Sequence, residues 1–143
     1  MSGRLKIGIV TRREGWCSSQ LKEAMLRKGV TPLSFSFNQL VARVNYEPKV
    51  SINNLSLLKD VKALIIRPVG RGSLEEIIFR MDILYRLENL GMLIINPPLS
   101  IERCVDKYRA LALLEDHGLP VPRTAVTEDS EKALEAFYEL GGD

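Results

Sequence analysis

The sequence predicts an α/β protein, with an open, parallel, Rossmann-like sheet over residues 1–98 and the beginning of a second domain over residues 99–143. Three observations carry this expectation. Short apolar runs rich in β-branched residues, "LKIGIV", "VTPLSF", "VKALII" and "MLIIN", recur through the first part. They alternate with stretches of helical periodicity, and such alternation calls for right-handed crossovers and a parallel sheet covered on both faces. From Leu99 onward the pattern changes to helices separated by a proline-bearing extended stretch.

"LKIGIV" reads as a buried strand. Beyond the loop of Arg12, Arg13, Glu14, Gly15 and Trp16, Ser18 or Ser19 is expected to cap a helix that turns Leu21, Ala24 and Met25 inward. Gly29 closes that helix, and "VTPLSF" supplies the next strand. "ARVNYEPKVSINNL" alternates weakly around Pro48 and reads as a hairpin or an irregular excursion. "VKALII" is the clearest strand. It runs through "RPVGRGS" into a long helix expected to carry Leu74, Ile77, Ile78, Met81 and Leu84 on one face. Gly91 ends this helix before "MLIIN".

In the second part, "SIERCV" reads as a short helix, and Asp106 is placed to cap "KYRALALLEDHG", expected to bury Leu111 and Leu114. Pro120 and Pro122 hold "LPVPRTAV" extended, because proline lacks the helical donor and biases its predecessor toward β. In the last helix Glu128, Asp129 and Glu131 suit the positive N-terminus. Ala133, Leu134, Phe137 and Leu140 share one apolar face. Gly141 then stands where a helix turns back. Such a stop usually launches another element, so the chain reads as the front of something longer.

Bulk properties exclude several classes. Hydrophobic residues make up 45% and charged residues 27%, as in ordinary globular domains. A net charge of +2 is too small to argue for nucleic acid or a membrane surface. No apolar run is long enough to span a bilayer. "MSGRLKIGIV" lacks the apolar core and cleavage site of a secretory leader, which points to the cytoplasm. Cys17 and Cys104 are isolated thiols without metal-ligand spacing. His117, before Gly118, suits helix-end chemistry better than catalysis.

In open parallel sheets ligands sit beyond the carboxyl ends of the strands. Three loops leave such ends, carrying Arg12 and Arg13, then Arg67 and Arg71, then Asn96. In the middle loop Gly70 and Gly72 permit a tight turn, and Ser73 with Glu76 forms a capping box at the long helix. A glycine loop before a helix N-terminus favours an anion. The capping box already satisfies two of the donors, so the arginines are left either as a carboxylate or phosphate site or as a solvated basic rim. No Gly-Lys-Ser/Thr follows, and "TRREGW" does not supply Gly-x-Gly-x-x-Gly, which argues against a simple NTPase or dehydrogenase.

The series "INPPLSIERCVDKYRALALLEDHGLPVPRTAV", with "IIRPVGRGSLEEIIFRMDIL" and "LKIGIVTRREGWCSSQLKEA" before it, resembles the RimK-like branch of the ATP-grasp ligases. Within that branch it is most similar to the archaeal glutamate-ligating members. The resemblance covers essentially the whole chain but only the front of a family member. It implies a pre-ATP-grasp domain followed by the start of the ATP-grasp domain. It also implies ATP and Mg2+ for the complete enzyme, and an anionic small molecule or protein as acceptor. By the resemblance, ATP phosphorylates an acceptor carboxylate, and an amino acid, glutamate in this branch, attacks the acyl phosphate. Lys107 matches the first of two ATP-contacting lysines, and Arg12, Arg67, Gly70 and Arg71 fall on loops facing the acceptor. The second lysine, the glycine-rich loop and the acidic metal ligands of the family lie outside the matched stretch. The expectation is therefore no ligase activity from these residues alone and no tight binding of ATP or Mg2+. An anion-binding module, or a subunit completed in trans, stays open beside it. Phe137 and Leu140 are worth about 1.5–3 kcal/mol each if buried, so a homo-oligomer through residues 99–143 is expected.

Overall fold

A computed structural model describes residues 5–142. Met1–Arg4, on which part of the leader reading rests, and Asp143 lie outside them. In chain order the elements are β1 (Lys6–Val10), α1 (Trp16–Arg27), β2 (Thr31–Phe35), β3 (Leu40–Ala42), β4 (Val50–Ile52), β5 (Leu55–Ser56), α2 (Leu57–Asp60), β6 (Ala63–Ile66), α3 (Leu74–Asn89), β7 (Leu93–Ile95), α4 (Pro98–Val105), α5 (Lys107–Asp116) and α6 (Ser130–Glu139). The backbone contacts divide the chain into two compact units, one ending at Ser100 and the other beginning at Ile101. No helix among the described residues is long and apolar enough to cross a membrane.

The first unit is built on a four-stranded sheet of order β2-β1-β6-β7, every pairing parallel. The chain moves outward from β1 to β2, then returns to the other side of β1 for β6 and β7. Its order therefore reverses between β1 and β6. Right-handed crossovers in the two directions require α1 and α3 to cover opposite faces. The expected hairpin forms a separate antiparallel sheet, β3-β4-β5.

The core follows from these pairings. Ile9, Val10, Leu64, Leu84 and Leu87 are at most 1% exposed, each worth about 1.5–3 kcal/mol relative to exposure. At Gly8, in the middle of β1, an ideal Cβ would lie 2.5 Å from Leu64 Cδ2 and 3.0 Å from Phe35 Cε1. The missing side chain lets the Phe35 ring close over the central strand.

Several expectations need correction. Neither Ser18 nor Ser19 caps α1, which begins at Trp16 with Gly15 as its N-cap. Ser18 instead sits one turn in and buried, its hydroxyl accepting from Gly15 N at 2.9 Å and donating to Gly15 O at 2.9 Å. That bond satisfies an orphan group at the helix start, so the helix begins earlier. In α3 the buried positions are Ile83, Leu84 and Leu87, whereas Leu74 and Ile78 are exposed. Ile77 and Met81 are half-buried and Leu84 is buried, so the expected stripe does face inward in part, with Ile83 and Leu87 added to it and Leu74 and Ile78 left outside. In the second unit Leu111 is half-buried but Leu114 is 43% exposed. The α6 face is likewise open, with Leu134, Phe137 and Leu140 at 54%, 49% and 44%.

The expected cap at Asp106 is present, and of the three acids expected near the start of α6 it is Asp129 that caps it. Asp106 accepts from Arg109 N at 3.0 Å, and Asp129 accepts from Glu131 N at 2.8 Å and Lys132 N at 3.2 Å. His117 caps the end of α5, its ring nitrogen 2.7 Å from Leu113 O. "LPVPRTAV" runs without regular structure, as its prolines dictate.

Candidate functional site

Parallel pairing brings the ends of β1, β2 and β6 to one edge of the sheet. Thr11 N donates to Phe35 O at 2.8 Å, and Arg67 N donates to Val10 O at 3.0 Å, so the loops leave this edge side by side. The turn after β1 is fixed by the Thr11 hydroxyl, which donates to Arg13 O at 3.0 Å. Arg12, Arg13, Arg67 and Arg71 are all exposed there.

Two adjoining cavities lie on this edge. One, of about 190 Å3, is lined by Arg12, Ser36, Asn38, Gly70, Arg71 and Arg80, among others. The other, of about 320 Å3, is lined by Arg12, Arg13, Trp16, Cys17 and Arg67, among others. Arg12 and Pro68 belong to the walls of both. The second cavity sits between the β1 and β6 loops, where the strand order reverses and open α/β sheets bind ligands. Asn96 follows β7 and is exposed, but it is not on either wall. Of the three loops, the structure gathers two.

The Val69–Ser73 loop is held in shape by Arg80, which sequence reasoning passed over. Arg80 Nη1 donates to Val69 O at 3.1 Å and to Arg71 O at 3.0 Å. Its Nη2 lies 3.6 Å from Glu76 Oε1, and the guanidinium stands 5.9 Å from the Phe37 ring centroid. Glu76 Oε2 also accepts from Ser73 N at 2.8 Å, while Ser73 Oγ accepts from Glu76 N at 3.2 Å, the capping box read from sequence. A signal for Arg80 was present. It lies at i+3 from Ile77 and i−4 from Leu84, inside the inward stripe, and one turn after Glu76.

The glycines follow from this packing. Gly70 has φ +88°, a left-handed conformation open to glycine at little cost. A Cβ at Gly72 would meet Glu76 Oε2 at 2.7 Å and Arg80 Nη2 at 3.0 Å. At the start of α3, Glu75 is held below the usual carboxylate range by its own backbone N–H and by the Ser73 hydroxyl.

The acids on these walls are already engaged. Glu76 is tied to Arg80, and Glu14 pairs with Lys22. No side-chain hydrogen bond or ion pair engages Arg12, Arg13, Arg67 or Arg71 among the described residues. The edge is an uncompensated guanidinium cluster, suited to bidentate capture of carboxylate or phosphate.

Lys107 stands elsewhere, in the second unit, as the first residue of α5, exposed and in no ion pair among the described residues. That unit has its own open groove of about 420 Å3, lined by Tyr108, Leu111, Val121, Arg123 and Leu140, among others. Arg123 Nη2 donates to Glu139 O at 3.1 Å across it. No cluster of acids, histidines and cysteines able to hold a metal ion occurs among the described residues.

No family profile matches the chain. It is 39% identical over 143 residues to the tetrahydromethanopterin:α-L-glutamate ligase of Methanosarcina acetivorans, covering 95% of this chain and 44% of that enzyme. The chain thus spans a little under half the length of this relative. Among solved structures, a RimK domain ATP-grasp protein from Sphaerobacter thermophilus superposes with TM-score 0.71 at 20% identity, over 95% of this chain and 47% of that one. The ATP-grasp ligase PsnB, solved with a phosphomimetic variant of its minimal precursor, Mg and ADP, superposes with TM-score 0.67 at 20% identity, over 94% of this chain and 51% of that one.

Proposed function

This chain is a homologue of part of the RimK-like ATP-grasp ligases, and on that footing we propose that it furnishes the acceptor-binding portion of a cytoplasmic ATP-dependent carboxylate–amine ligase. The complete reaction is the joining of an amino acid, glutamate, to an acceptor carboxylate through an acyl phosphate, with release of ADP and phosphate. The observation that supports this reading is the cluster of free guanidiniums on two cavities at the reversal point of the parallel sheet. Arg12, Arg67 and Arg71 hold the acceptor's anionic groups, and Gly70 lets the backbone of the loop approach them. Charge capture by preset guanidiniums orients a carboxylate for phosphorylation, and such positioning supplies much of the rate in phosphoryl transfer.

ATP and Mg2+ belong to the whole ligase. The described residues do not fit a metal site, and Lys107 is a single exposed cation at the start of α5. Its proposed role is to contact an ATP phosphate once the remainder of an ATP-grasp domain surrounds it. The 143 residues by themselves neither hold ATP and Mg2+ tightly nor turn over. The direct test is to incubate the purified chain with ATP, Mg2+, glutamate and an acceptor and to follow ADP. Sustained ADP release dependent on acceptor overturns this part of the reading.

A second reading is favoured by one observation: the arginine cluster lies wholly within the first unit. A stand-alone module that binds an anionic metabolite, or a subunit completed in trans by a separate catalytic chain, would need nothing more. Acidic ligands bound at Arg67 and Arg71, with no gain in activity on adding the remainder of a homologous ligase, would select the module. The apolar α6 face, open at Leu134, Phe137 and Leu140, further supports a proposed homo-oligomer.

A further inference from the structure

We infer that the ligand taken at this edge carries two anionic groups on a short spacer, one seated in each cavity, with Arg12 between them. The inference rests on the acceptor-binding reading and deepens it. Its starting point is charge arithmetic on the two walls. Each wall has one acid, Glu76 or Glu14, and each acid is already paired, with Arg80 or Lys22. What remains is Arg71 on one side, Arg13 and Arg67 on the other, and Arg12 shared. A single carboxylate or phosphate is satisfied by one or two guanidiniums in fork geometry. Unsatisfied like charges on one rim repel, so a cluster of this size is a site for more than one anionic group.

The two compartments also differ in what else they offer. The smaller adds the Ser36 hydroxyl and the Asn38 amide, groups that complete the hydrogen bonding of a compact anion. Its loop is tied to α3 by Arg80, which donates to Val69 O and Arg71 O. The larger adds Trp16, 77% exposed, whose indole is a stacking surface for a planar or apolar spacer beside the second anion. A polymer is a poorer match. Nucleic acid prefers a continuous basic track, whereas Arg12, Arg13, Arg67 and Arg71 surround two small concavities.

The test uses the whole 143-residue chain and isothermal titration calorimetry at fixed ionic strength. The probes are methylphosphonate and a series of α,ω-alkane bisphosphonates of increasing spacer. The expected result is an optimum at one spacer length, roughly 100-fold tighter than methylphosphonate, as expected when a second contact becomes intramolecular. Arg71→Gln and Arg67→Gln, at exposed positions, should each return the best bisphosphonate to the affinity of methylphosphonate. Arg12→Gln should weaken both probes. A smooth dependence on charge with no optimal spacer overturns the inference, because diffuse attraction has no preferred length. So does equal binding of methylphosphonate and bisphosphonate, with the arginine variants weakening both, although the acceptor-binding reading survives that result. Failure of every probe to bind, with the chain folded by circular dichroism, overturns both.

Discussion

Replacing Arg80 with alanine should disturb both the stability of the first unit and the anion site, since Arg80 holds the loop and lines the smaller cavity. Its side chain is only 14% exposed and donates to two loop carbonyls at 3.1 and 3.0 Å. A hydrogen bond from a charged donor is worth about 1.5–3 kcal/mol. Val69 and Arg71 are partly open to solvent, so water would recover part of each bond. The pairing with Glu76 adds little, because that partner is 60% exposed. The expected loss is about 2–3 kcal/mol in all. With a urea slope of about 2 kcal/mol/M, the midpoint should fall by about 1–1.5 M. Arg80→Lys should recover only part of it, since an ammonium lacks the planar fork that spans two carbonyls. Phosphate affinity, read calorimetrically, should fall together with stability as the Arg71 loop loosens. A midpoint shift below about 0.3 M with phosphate binding intact would refute the argument that Arg80 shapes the loop.

Other consequences follow from the same geometry. Gly8→Ala should cost about 1–3 kcal/mol in urea unfolding, since the added methyl meets Leu64 at 2.5 Å; a neutral result would show that Leu64 and Phe35 yield freely. Gly72→Ala should weaken phosphate binding by displacing Glu76 and Arg80, and an unchanged calorimetric affinity would contradict the close packing at Gly72. The Glu75 carboxyl, lowered in the folded state by backbone and Ser73 hydrogen bonds, stabilises the start of α3 above its unfolded pKa, and that contribution is lost as pH falls through the folded pKa. A carboxyl carbon NMR titration should place its midpoint below that of an unstructured glutamate, and a midpoint at or above that value would contradict the assignment. Leu134→Glu, on the open face of α6, should shift sedimentation toward monomer at high concentration, whereas a wild-type chain already monomeric there would end the proposal of self-association.

Sequence by itself determined the strand–helix alternation of the first unit, because burial on both faces leaves uninterrupted β-branched runs and parallel strands need long crossovers. It also determined the caps at Ser73 and Asp106, whose short polar side chains bond to donors three residues away. Both are local or composition-level effects, and they survive without knowledge of neighbours. Periodicity placed Ile77, Met81 and Leu84 on the inward face of α3, but the limits of the buried stripe were decided only by tertiary structure. Packing on the sheet added Ile83 and Leu87, left Leu74 and Ile78 outside, and put the charged Arg80 on the inward stripe. The pairing register was another tertiary outcome. Residues 12 and 67 stand far apart in sequence and reach one cavity because Val10 lies opposite Ile66 in the parallel ladder. Periodicity names the residues that can meet, but only long-range strand pairing decides which of them do.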